Sequence, residues 1–60
     1  MEIRYEEQDG QYRIMQEDRQ IGIARMQTDG SYGYSIFGTP HMGKEKSMED
    51  VEKAVERALG

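Results

Sequence analysis

His41 is the single histidine of a sixty-residue chain. It is the first residue to weigh for chemistry, because imidazole titrates near neutral pH and binds metals. A metal ligand or a general base needs company. The chain has no cysteine, and no second histidine or aspartate stands at ligand spacing from His41. No serine is arranged beside it as a nucleophile. His41 therefore reads as a solvated loop residue. The carboxylates are scattered: Glu6, Glu7 and Asp9, then Glu17 and Asp18, then those of the last segment. None forms the D-x-[DN]-x-[DN]-G pattern that wraps calcium, and no pair is marked for acid-base work. The segment G-T-P-H-M-G-K lacks the G-x-x-x-x-G-K-[ST] spacing of a phosphate-binding loop. The expectation is a non-enzymatic protein with no catalytic residue, no metal site and no cofactor. A catalyst would instead need a deep pocket around His41.

Tyr5, Tyr12, Tyr32 and Tyr34 could stack on bases if they faced solvent. Their spacing places them with isoleucines, so they read as core. The formal charge is −4, from eight basic and twelve acidic residues. Residues 1–43 carry −3 and residues 44–60 carry −1, so neither segment is a basic patch. Nucleic-acid binders usually show one, because phosphate contacts supply much of their affinity. The balance argues against a nucleic-acid partner. No apolar run approaches the roughly 18 residues of a membrane span. The start M-E-I-R-Y-E-E lacks the order of a signal peptide. Together with the missing cysteines, these features predict a soluble cytoplasmic protein that is complete as given, a single domain over residues 1–60.

The elements that must position these residues start from Q-I-G-I-A-R-M-Q-T-D-G-S-Y-G-Y-S-I-F, residues 20–37. Asp-Gly between strand-like runs is a strong hairpin signal, since a type I′ turn needs positive φ at both central residues. A two-residue loop at Asp29-Gly30 would pair Thr28 with Ser31, Met26 with Gly33, Arg25 with Tyr34 and Ile23 with Ile36. A second such turn at Asp9-Gly10 pairs Tyr5 with Ile14 and Glu7 with Tyr12. Between them, E-D-R-Q is a weaker turn, because Arg19 suits positive φ poorly. A bulge or longer loop is open there; a two-residue loop would set Ile14 against Ile23 and Gln16 against Ile21. Side chains alternate along strands. One face then collects Ile3, Tyr5, Tyr12, Ile14, Ile21, Ile23, Tyr32, Tyr34 and Ile36.

Residues 47–59 read as a helix. Ser47 suits the N-cap, Glu49, Asp50 and Glu52 complement the positive end of the dipole, and Arg57 the negative end. Val51, Ala54, Val55, Ala58 and Leu59 make one narrow apolar stripe. Residues 38–46, with two glycines and the only proline, read as a connector. The predicted fold class is α+β: a four-stranded antiparallel meander, order 1-2-3-4, with one C-terminal helix packed on the isoleucine and tyrosine face. Its strands lie over about residues 2–8, 11–17, 20–28 and 31–37.

Two resemblances go with that order of elements. A sheet followed by one helix resembles the arm-binding domains of integrases, which bind DNA with a basic sheet; this chain departs from them in charge. The start of the helix, S-M-E-D-V-E-K-A, resembles the helix start of HicB-type antitoxins, whose sheet motifs are absent here. Neither resemblance assigns a role to any residue.

One helix covers one face, so the second face is left bare. The register above puts Arg4, Arg13, Met15, Ala24, Met26 and Phe37 there, with Met15 and Met26 beside glycines. Methionine adapts to partners and arginine is enriched at hot spots. The last strand, residues 31–38, also offers a weakly charged sheet edge. The sequence thus predicts an interaction or regulatory protein whose partner is another protein or a second copy of itself. The alternative is a nucleic-acid-binding module using the same face, or an acidic inhibitor of a nucleic-acid-binding protein.

Overall fold

A computed structural model describes residues 2–60. Five strands run in chain order: β1 (Ile3–Gln8), β2 (Gln11–Gln16), β3 (Arg19–Met26), β4 (Tyr32–Ile36) and β5 (Met42–Glu45). They form one antiparallel sheet, each strand paired with its chain neighbours. The helix α1 (Met48–Leu59) packs on one face. The predicted architecture holds with one strand added. The expected connector is a hairpin plus β5: Phe37–Pro40 turn the chain, and Met42–Glu45 pair with β4. The Thr39 hydroxyl donates to the Ile36 carbonyl at 2.9 Å and accepts from the His41 amide at 3.1 Å, which fixes that turn. His41 thus works through its backbone, and its carbonyl accepts from the Ile36 amide at 2.9 Å. M-G-K-E carries no alternation of apolar residues, so backbone pairing alone makes it a strand.

The first hairpin is as expected. Asp9 and Gly10 have φ of 53° and 79°, the signature of a type I′ turn, and Tyr5 pairs with Ile14. The second hairpin differs from expectation by two residues at its turn and by one beyond a bulge, and the third differs by one. In the second, Gln16 pairs with Arg19, so the turn centres on Glu17 (φ 57°) and Asp18. This spares Arg19 a positive φ. A bulge at Ile21 follows, and Ile14 comes to face Gly22 rather than Ile23. In the third, the loop holds three residues. Gly30 donates to the Gln27 carbonyl at 3.1 Å, Gln27 donates to the Ser31 carbonyl at 2.7 Å, and Gly30 takes φ 89°. That is a turn closed by a bulged glycine. Met26 therefore pairs with Tyr32, Arg25 with Gly33, Ala24 with Tyr34 and Ile23 with Ser35.

A one-residue slip inverts a strand. Two successive slips restore the next one. Relative to β2, β4 keeps its expected orientation with Tyr32, Tyr34 and Ile36 under the helix. Only the part of β3 after the bulge, residues 22–26, is turned over, with Gly22 and Ala24 facing the helix and Ile23 facing away, while Ile21 still packs against the core.

The core explains why this arrangement wins. Ile14, Val51 and Val55 are completely buried, and Ala24 and Ile36 nearly so. Ile3, Tyr5, Tyr12, Ile21, Tyr32, Tyr34, Met48 and Leu59 pack around them. Gly22 leaves room for Ile36 of the neighbouring strand, and Ala24 joins Val51 and Val55 in the buried cluster. A Cβ at Gly22 would lie 2.5 Å from the Ser35 carbonyl oxygen and 3.1 Å from Ile36 Cδ1. The helix itself is capped as its sequence indicates. The Ser47 hydroxyl accepts from the Asp50 amide at 3.2 Å, and Gly60 (φ 102°) donates to the Glu56 carbonyl at 3.1 Å.

Two substitutions test this packing. Ile14→Ala should cost about 2–5 kcal/mol, as a large-to-small change at a buried site does. Gly22→Ala should cost about 1–3 kcal/mol by overpacking, although alanine is the better strand residue. Urea denaturation followed by circular dichroism measures both. A neutral Gly22→Ala would refute the close approach of β3 and β4.

Candidate functional site

The face away from α1 is the side of the sheet not used by the core. Its side chains follow from the pairing as three rows. The first is Arg4, Met15 and Gln20; the second Glu6, Arg13, Ile23, Ser35 and Met42; the third Gln8, Gln11, Arg25, Gly33 and Lys44. Arg4, Arg13 and Met15 lie there as the sequence predicts. Ala24 and Met26 do not. Ala24 is 1% exposed in the core, and Met26 stands beside Tyr32 on the helix side. Both move because β3 is turned over. Phe37 lies just past β4 at one end of the sheet, half exposed, beside Ile21, Thr39 and Leu59. Ile23, Arg25, Met42 and Lys44 take the vacated places. The expected exposed edge at residues 31–38 is internal, since β5 covers β4. β1 and β5 are the edges.

The charges of the face sort with it. Arg4, Arg13, Arg25 and Lys44 stand against Glu6 alone, a formal +3 in a chain that totals −4. Arg4 reaches Glu6 at 3.5 Å, and Arg13 donates to the Gln8 side-chain carbonyl at 3.0 Å. Arg13 and Arg25 have no ion-pair partner among the described residues. Lys44 meets Asp29 at 3.0 Å across the end of the third hairpin. Asp29 also accepts from the Ser31 hydroxyl at 2.6 Å and the Ser31 amide at 3.0 Å. These bonds, with Lys44 after them, hold its carboxyl well below the usual carboxylate range. All four tyrosines are on the helix side, so the open face carries no stacking platform. Tyr12 and Tyr32 make an edge-to-face pair there, with ring centroids 6.2 Å apart.

A groove runs along β4 on the open face. Gly33 and Ser35 form its floor, Ile23 and Arg25 one wall, and Met42 with the β5 backbone the other. Its volume is about 590 Å³. The Gln27 amide lies over Gly33, 2.6 Å from where a Cβ would stand. Met42 is 69% exposed, the most of any large apolar residue described. His41 lines a different, smaller hollow between β5 and α1, with Tyr34, Glu45 and Arg57. Among the described residues no three His, Cys, Asp or Glu side chains converge as metal ligands. No helix is long and apolar enough to cross a membrane.

No protein-family model matches the chain, and no curated protein or solved structure is significantly similar to it.

One buried group on the helix side carries a pH signature. The Tyr5 hydroxyl is buried with no hydrogen-bond partner among the described residues. Burial first, then Glu52 and Glu56, push its pKa up to about 12. A folded pKa above the unfolded value stabilises the fold below the unfolded pKa, and that contribution is lost as pH rises through the folded one. Stability should therefore fall between about pH 10 and 12. Tyr5→Phe should flatten that fall and leave stability at pH 8 equal or higher, because it deletes an unpaired polar atom. Urea midpoints at pH 8 and pH 11 would decide; an unchanged pH slope in Tyr5→Phe would reject the assignment.

Proposed function

We propose that this is a small non-enzymatic binding protein of the cytoplasm whose working surface is the open sheet face. The observation that supports this reading is the separation of charge. With Asp29 counted against the Lys44 it pairs with, the face still carries +2 and an exposed methionine, while the rest of the chain carries −6. A merely solvated face has no need to gather cations that lie far apart in sequence, and apolar residues rimmed by arginine have the make-up of an interface. Two copies set face to face would oppose their arginine rows. The charge therefore favours a foreign partner with acidic groups over a second copy of the chain.

The size of the face sets the strength. Five strands at about 4.8 Å and six residues at about 3.3 Å give roughly 480 Å² in projection. That is about three-fifths of the roughly 800 Å² that one partner buries in a standard interface, so the complex belongs among the weak, transient ones. A second reading draws on the same cations: Arg4, Arg13 and Arg25 step diagonally over three strands, and a duplex bound there would lose affinity steeply with salt.

Sedimentation equilibrium is the direct test of occupancy by self. The wild type should remain a monomer across concentration. A dimer abolished by Ile23→Lys/Met42→Lys, with the fold kept, would assign the face to self-association and defeat the proposal of a foreign partner. A photo-crosslinking residue at position 23 should trap a partner in cell extract, and one at position 53 on the outer side of α1 should not. Equal trapping at both would remove the open face from consideration.

A further inference from the structure

The groove along β4 is chemically two-ended, and its ends specify a ligand. At one end Ile23 and Met42 flank Ser35. At the other Arg25 and Lys44 flank Gly33, with the Gln27 amide above it. Both walls thus change from apolar to cationic over one pleat. That step is two residues along a strand, about 6.6 Å. The walls stand two strands apart, about 10 Å, with Ser35 and Gly33 between them. The Ser35 end has room for one side chain, while the Gln27 amide covers Gly33 and leaves Arg25 and Lys44 as the rim of the other end.

We propose, on the reading of the open face given above, that this groove takes a short acidic peptide segment of a partner protein. An apolar side chain of the segment enters between Ile23 and Met42, and a carboxylate about 6.6 Å along meets Arg25. Charge complementarity selects the acid, because Arg25 has no ion-pair partner among the described residues and the net field of the face is positive. The apolar end selects against a phosphate backbone, which has nothing to place against Met42. The tyrosines that would stack on bases all lie on the opposite side of the sheet. Asp29 acts as an internal competitor. Its carboxylate occupies Lys44 at 3.0 Å and so withholds one of the two cations at that end of the groove.

That competitor makes the proposal testable without knowing the partner. Asp29→Asn keeps the oxygen that accepts from Ser31 but removes the charge that holds Lys44. The probe is a random sixteen-residue peptide library displayed on phage. It is selected on the whole chain and counter-selected on Met42→Glu, whose fold is checked by circular dichroism. The enriched peptides should combine apolar residues with Asp or Glu at a recurring short spacing. A synthetic copy should bind the wild type in calorimetry. Its affinity should rise about two- to fivefold in Asp29→Asn and fall by about as much in Arg25→Gln, the scale of an exposed ion pair. A fall or no change in Asp29→Asn would overturn the role given to Lys44 and with it the proposal. Enrichment of basic or uncharged peptides that Met42→Glu no longer binds would overturn the acidic ligand while leaving the open face as the binding surface. Loss of all enrichment at the counter-selection step would defeat both readings. A mixed-sequence twenty-base-pair duplex that binds more tightly than the selected peptides would replace the peptide by nucleic acid.

Discussion

The small residues on the covered side of β3, Gly22 and Ala24, are the constraint on which the rest of the molecule depends. A chain of sixty residues has little core to spare, and this one builds it from Ile14, Ile36, Val51 and Val55. Those four meet only because the strand between Ile14 and Ile36 presents Gly22 and Ala24 upward. Ile36 and the Ser35 backbone fill the space that a side chain at Gly22 would take. The larger residues of β3 must then point the other way. Ile23 and Arg25 are on the open face because glycine and alanine are needed on the covered one. The candidate site is thus a by-product of core packing in its placement, whatever selected its chemistry.

Much of the fold is legible in the sequence, and the reasons for the misses are specific. Asp9-Gly10 and the helix from Ser47 announce themselves through turn dihedrals, caps and the valine stripe. Asp29-Gly30 announces a hairpin too, but the same dipeptide serves a two-residue and a three-residue loop. In the second case aspartate supplies a side-chain acceptor for Ser31 and only glycine takes the positive φ. Local preference does not separate the two; the burial of Ala24 beside Tyr34, and of Gly22 beside Ile36, does. The Ile21 bulge has no signal of its own. β5 was hidden because Gly43 and Lys44 have poor strand preference, and its pairing depends on β4 being already in place.

The site was legible in part for the same reason. Arg4, Arg13 and Met15 lie on strands whose register the first turn fixes. Arg25 and Lys44 depend on the third hairpin and on β5. Charge counted along the chain shows two mildly acidic segments. Charge counted by face shows a cationic sheet under an anionic helix and anionic turns. The acids gather where the dipole of α1 and the tight turns favour them. Strand alternation then leaves the arginines on the far side. A count by composition averages these two populations away, and a count by side needs the correct register first.

The strictly neighbour-to-neighbour order of the five strands bears on how the molecule comes into being. Each ladder closes a loop of only a few residues, which costs little chain entropy, and isolated hairpins form in about 1–10 μs. The sheet can therefore zip progressively along the chain. The gathering of Ile14 and Val51 into one buried cluster is different, since more than half of the chain lies between them. It has to wait until the ribbon exists. A nascent sheet at that stage shows isoleucine and tyrosine to water on one side and arginine on the other. The arginine side keeps such ribbons apart by mutual repulsion while the helix is still arriving.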